Sequence, residues 1–229
     1  MTASAEALIP PRSLAVSCQA RADNPLHGPA FMAAMAQAAE QGGALALRAN
    51  GPADIAAIRA VSRLPIIGIL KRWDDRFPVY ITPDFASAET IAAAGADIIA
   101  LDATARPRNG EPLDRLIARI RDELGKPVFA DCATLEDGVR AAALGASYIA
   151  TTLSGYTPET EARKALGPDI ALIEALAKAV SVPIVAEGRF EQPEQLKAAF
   201  AAGAHAVVVG TAITNPREIT RRFARHAGA

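Results

Sequence analysis

The chain has 229 residues, enough for one large α/β domain and short for two ordinary ones. Half of it is hydrophobic (51%) but only 5% is aromatic, so a core must be built from Ala, Val, Ile and Leu. Its 24 basic residues stand against 25 acidic ones, a net charge of −1, which gives no footing for a nucleic acid or an anionic membrane.

Residues 1–12 read as an N-terminal extension, and residues 13–229 as a single domain in which short apolar runs alternate with longer Ala-rich stretches. Strands are predicted over 13–20, 44–49 and 65–72. A helix follows over 84–94, then strand 97–104, helix 111–124, strand 127–134 and helix 134–144. Strand 147–152 precedes helix 169–180, strand 183–189 precedes helix 191–202, and strand 206–213 precedes helix 216–226. Each strand is apolar almost throughout, as a parallel strand covered on both faces must be.

The punctuation repeats. Gly95, Gly145 and Gly203 each stand where a helix closes before a strand opens, a position that suits the left-handed backbone past a helix end. Pro65, Pro127 and Pro183 start strands, where a missing N–H costs little. Eight such units predict an α/β fold of the (β/α)8 TIM-barrel class, of the ribulose-phosphate-binding-barrel type. The rival open, doubly wound sheet lacks its glycine-rich turn after the first strand, which reads Val16-Ser17-Cys18-Gln19-Ala20.

In such a barrel the working groups sit where strands end. Here the ends carry Gln19, Arg48, Lys71, Asp102 with Thr104, Asp131, Thr151 with Thr152, Glu187 and Thr211. Lys71 follows a wholly apolar strand, and burial lowers a lysine pKa toward the range of a usable base. Glu187 and Asp131 also follow buried strands, where a carboxylate is either paired or functional. Gly188-Arg189 and Gly210-Thr211, after the seventh and eighth strands, lie at the recurrent phosphate position of this fold. His27, His205 and His226 are scattered and read as structural or surface residues, so no metal site is expected. Cys18 and Cys132 read as buried small hydrophobes. Two unpaired cysteines fit a reducing cytoplasm, and no apolar run nears the ~18 residues of a membrane span. The residues leave open an acid–base isomerase, an aldolase with Lys71 as Schiff-base amine, and a non-catalytic sugar-phosphate sensor.

Several segments together resemble the N-acetylmannosamine-6-phosphate 2-epimerases of bacterial sialic acid catabolism. They are Gly68-Ile69-Leu70-Lys71-Arg72, Val79-Tyr80-Ile81-Thr82-Pro83, Ala130-Asp131-Cys132, Thr151-Thr152-Leu153-Ser154-Gly155-Tyr156-Thr157, Ala186-Glu187-Gly188-Arg189 and Val209-Gly210-Thr211-Ala212-Ile213-Thr214. The resemblance covers nearly the whole chain. It implies a cofactor-free, metal-free inversion at C2 of an N-acetylhexosamine 6-phosphate. Lys71 and Glu187 would be catalytic, and Gln19, Arg48, Asp131 and Thr152 would line the sugar site. Gly188, Arg189, Gly210 and Thr211 would hold the phosphate. Asn215 departs from the family, which often has arginine there, and the Trp73-Asp74-Asp75-Arg76-Phe77 stretch has no assigned role. Phe223 on the Ala-rich last helix suggests a homodimer face.

Overall fold

The computed structural model describes residues 8–227. Eight parallel strands close into a barrel in sequence order: β1 (Ser13–Cys18), β2 (Ala46–Asn50), β3 (Ile66–Ile69), β4 (Ile98–Asp102), β5 (Val128–Asp131), β6 (Tyr148–Ala150), β7 (Ile184–Glu187) and β8 (Ala206–Val209). Around them lie α1 (Pro29–Gln41), α2 (Pro52–Val61), α3 (Phe85–Ala93), α4 (Leu113–Glu123), α5 (Leu135–Ala143), α6 (Ile170–Ala179) and α7 (Pro193–Ala201). After β8 come a single turn, α8 (Thr211–Thr214), and α9 (Pro216–Ala224). A 3₁₀ helix (Pro158–Leu166) precedes α6.

Local chemistry sets the helix starts. Asp84, Thr134, Asp169 and Asn215 each accept a backbone N–H of the first turn of the helix they precede. Gly95, Gly145 and Gly203 have φ of +105°, +95° and +99°, so the expected left-handed exits are present.

Strand alternation divides the core in two. One set of side chains, including Leu47, Ile66, Ile99 and Val207, packs outward against helix residues such as Met32, Ile58, Ile91 and Ile117. The other set, including Ala15, Ala46, Ile67, Ile69, Phe129 and Val208, fills the barrel. Residues 8–12 of the expected N-terminal extension run beneath it; residues 1–7 lie outside the described residues. Ile9 is fully buried among the barrel side chains, its N–H donating to the Tyr148 hydroxyl and its carbonyl 2.7 Å from Nε2 of His205. His205 thus has a structural task at the end of the barrel opposite the strand-end groups.

All the predicted strands but the second overrun their C-terminal ends. The clearest case is 206–213, which contains β8, a turn at Gly210 (φ −111°, ψ −95°) and most of α8. The overrun places the functional residues on the loops above the strands as well as on the strands.

Candidate active site

Inward-facing positions continue up each strand until apolar side chains give way to polar ones. Ser17 and Arg48 are register partners on β1 and β2, as are Asp102 and Asp131 on β4 and β5. Arg48 is 1% exposed and reaches across the barrel axis. Its two terminal nitrogens grip Asp131 at 2.9 and 2.7 Å, and Nη1 also donates to Oε2 of Glu187 at 2.5 Å. The Thr152 hydroxyl donates to Oδ1 of Asp131 at 2.6 Å and stands 3.2 Å from Oε2 of Glu187. The Phe129 ring lies beneath the guanidinium, 5.2 Å from its carbon. The four polar groups therefore form one connected cluster, as buried charges must.

Two partly opposed effects set each ionisation. Burial alone would lower the pKa of Arg48, but Asp131 and Glu187 more than offset it, so the guanidinium stays charged. Burial raises the pKa of Glu187, against the pull of Arg48. Glu187 Oε1 takes part in none of the bonds described, so one carboxyl oxygen is left without a partner among the described residues. The Thr151 hydroxyl bonds both the N–H and the carbonyl of Glu187, at 3.0 and 2.9 Å, and so fixes the end of β7.

Lys71 is the outlier. Its backbone N–H is held by Oδ1 of Asn50 at 2.9 Å, and its Nζ donates to Oε1 of Gln19 at 2.8 Å. Gln19 is in turn held by the Ser17 hydroxyl at 2.8 Å. Among the described residues Lys71 makes no ion pair, while most of the buried or half-buried arginines do. Burial, followed by the nearby Arg48 charge, brings its pKa down to about 8.

At the other side of the mouth, Gly188 has φ +111° and a backbone that a side chain would strain. A Cβ on Gly210 would come 3.3 Å from that of Ser17, a tight approach at which β1 would have to give slightly. Arg189 follows with φ +60°, and its guanidinium turns back onto the carbonyls of Gly167 and Ser154, clamping the loop after β6. Asn215, where the resembling family often has arginine, caps α9 through Glu218 N–H and accepts from Asn24.

The structure thus gathers Gln19, Arg48, Lys71, Asp131, Thr152 and Glu187 into one site. It places Gly188, Arg189, Gly210 and Thr211 on the loops after β7 and β8. Sequence reasoning gave no role to Ser17 and Asn50, although their spacing from Gln19 and Arg48 along the same strands is the signal. The thiols of Cys18 and Cys132 are buried in the layer between barrel and helices. Burial pushes the first up to about 12 and the second well above its usual range. Among the described residues no cluster of three or more His, Cys, Asp and Glu could hold a metal, and no helix is long and apolar enough to cross a membrane.

A closed parallel barrel with an unpaired lysine and a buried carboxyl group converging above its axis defines an acid–base enzyme of the (β/α)8 class. Residues 32–229 match the model of the family described as "Putative N-acetylmannosamine-6-phosphate epimerase", and the chain belongs to that family. It is 54% identical over 201 residues to a Thermosynechococcus vestitus protein, covering 88% of this chain and 87% of the relative. It is 50% identical over 215 residues to one from Caldanaerobacter subterraneus, covering 92% and 89%. Both relatives are described as "Putative N-acetylmannosamine-6-phosphate 2-epimerase". Among solved structures it is similar to the N-acetylmannosamine-6-phosphate 2-epimerase from Clostridium perfringens. That match has a TM-score of 0.92 and 43% identity, over 99% of this chain and 98% of the other.

Proposed function

We propose that the protein interconverts N-acetylmannosamine 6-phosphate and N-acetylglucosamine 6-phosphate by proton transfer at C2. The observation that carries this reading is Lys71, a largely buried amine with a pKa of about 8 and no carboxylate ion pair. A structural lysine so placed would cost stability for no return; a base needs this environment.

The C2 proton is acidic only in the open-chain sugar, where it lies beside the C1 carbonyl. Neutral Lys71 takes that proton, and the electron pair moves onto O1. Gln19 orients the amine before transfer and accepts a hydrogen bond from the ammonium that forms. Glu187, its pKa raised by burial, supplies a proton at O1 through its free Oε1. Arg48, locked by Asp131, sets the position of Glu187 and adds positive charge beside the developing enolate. As the C1 carbonyl re-forms, the O1 proton returns to Glu187, a proton from solvent reaches C2 on the opposite face, and Lys71 releases its proton to solvent, which closes the cycle and inverts the centre.

The phosphate is held by the loops carrying Gly188, Arg189, Gly210 and Thr211. With its guanidinium committed to two carbonyls, Arg189 offers its backbone N–H. Binding energy at this remote group holds the mobile open chain in place. Unphosphorylated N-acetylmannosamine is therefore expected to react at least about 10²-fold less efficiently. Parallel kcat/KM measurements with the two sugars test this; equal efficiency contradicts the phosphate assignment, and no reaction with either contradicts the epimerase. Phe223, 74% exposed on a helix without a buried residue, supports a homodimer face there, and the two free cysteines support a cytoplasmic location.

A further inference from the structure

The Trp73 to Phe77 stretch belongs to a hairpin that extends the strand carrying Lys71. Lys71 bridges Ile81 and Asp74 bridges Phe77, both antiparallel. Arg72 N–H donates to Tyr80 carbonyl at 2.8 Å, and Thr82 N–H to Leu70 carbonyl at 2.9 Å. On its other side the returning segment accepts Asp102 N–H at Ile81 carbonyl, 3.0 Å. It is thus wedged between β3 and β4, whose own pairing stops at Gly68 and Ile99. Thr82 has φ +43° while fully buried, and its hydroxyl accepts Leu70 N–H at 3.1 Å. A β-branched residue held in this region marks a segment over-determined by its surroundings.

This construction presents Tyr80 to the mouth. Its ring packs on the barrel interior, with Trp73 stacked against it at 5.5 Å and 10°. The ring lies in the field of Asp131, Asp102, Arg106 and Arg48, and its hydroxyl makes none of the described hydrogen bonds. Gln19 occupies the β1 side of the Lys71 amine. With the phosphate after β7 and β8, as proposed above, a sugar whose C2 reaches Lys71 extends toward the β3–β4 side of the mouth, where the hairpin carrying Tyr80 sits. A cleft of about 360 Å³, lined by Thr104, Arg106, Ala133, Thr134 and Thr157 among others, shares Arg106 with the charged groups around Tyr80.

We propose that Tyr80, held over the mouth by the hairpin and backed by Trp73, contacts the N-acyl group of the substrate and determines which acyl groups the site accepts. The hydroxyl donates to the acyl carbonyl, and the ring limits acyl length on the side away from the cleft. The proposal rests on the epimerase reading.

The test compares kcat/KM for N-acetyl- and N-propanoylmannosamine 6-phosphate in the wild type, Tyr80→Ala and Tyr80→Phe. Tyr80→Ala is expected to shift the ratio toward the propanoyl sugar by about tenfold, the scale of one methylene in a pocket. Tyr80→Phe keeps the ring, and is expected to raise KM for both sugars about tenfold with their ratio unchanged. An unchanged ratio in Tyr80→Ala, or if that variant does not fold, an unchanged KM in Tyr80→Phe, overturns the assignment while leaving the epimerase intact. No turnover of either sugar by the wild type overturns both.

Discussion

Replacing Lys71 with methionine is expected to remove turnover and make the protein more stable. A general base contributes about 10²- to 10⁴-fold, so kcat should fall by at least that range. The stability gain follows from linkage. Lys71 has a folded pKa of about 8 against an ordinary 10.5, so below pH 8 the fold carries a charge it disfavours. That gap corresponds to about 3 kcal/mol. The unfolded chain binds the extra proton between these values, so wild-type stability should rise with pH from about 8 to 10.5. The advantage of Lys71→Met should be full at pH 7 and fade over the same window. Denaturant melts at pH 7 and 10 check it; a variant less stable than wild type at pH 7 contradicts the desolvated amine. In the wild type, kcat/KM should climb with pH through an apparent pKa near 8. Glu187→Gln should lower kcat within the same range as the lysine change.

Arg48→Met has the opposite character. It leaves Asp131 and Glu187 buried close together with no cation between them. Breaking such a cluster by removing one partner costs about 3–5 kcal/mol, a large share of a typical domain's stability. Thermal unfolding should move down by about 10 °C. The sign with pH is fixed as well. Without Arg48 nothing opposes the burial that raises the folded pKa of Glu187 above its unfolded value, so the deficit should be small near pH 4 and grow as pH rises. A melting temperature unchanged from pH 5 to 8 contradicts the role given to Arg48. Activity should be lost too, because Glu187 no longer has a fixed orientation.

The strand-end rule made much of this site legible. A run apolar almost throughout that ends in a polar residue picks out Arg48, Lys71, Asp131 and Glu187. An ion pair of Glu187 or Asp131 with Arg48 or Arg189 is one reading of the sequence; that Arg48 alone holds both carboxylates was not legible, because it depends on a guanidinium crossing the barrel from β2 to β5 and β7. Helices α1 and α2 went unmarked because they are Ala-rich with little contrast between faces. The Gly28-Pro29 and Gly51-Pro52 pairs at their starts were the available signal. The Trp73 to Phe77 stretch had no assigned role because the hairpin it belongs to is defined only by two isolated bridges, too short for a strand pattern. That the Arg189 guanidinium holds the carbonyls of Ser154 and Gly167, in a loop more than twenty residues earlier in the chain, was not legible, because it depends on the loops after β6 and β7 meeting in the fold.

Proton transfer at C2 is the centre of the account, and solvent deuterium reads it directly. Proton NMR of the protein with N-acetylmannosamine 6-phosphate in deuterium oxide should show N-acetylglucosamine 6-phosphate appearing with deuterium at C2. It should also show the C2 proton signal of the starting sugar fading as the reaction reverses. Folded protein that binds the sugar phosphate yet leaves its C2 proton signal intact would contradict the account.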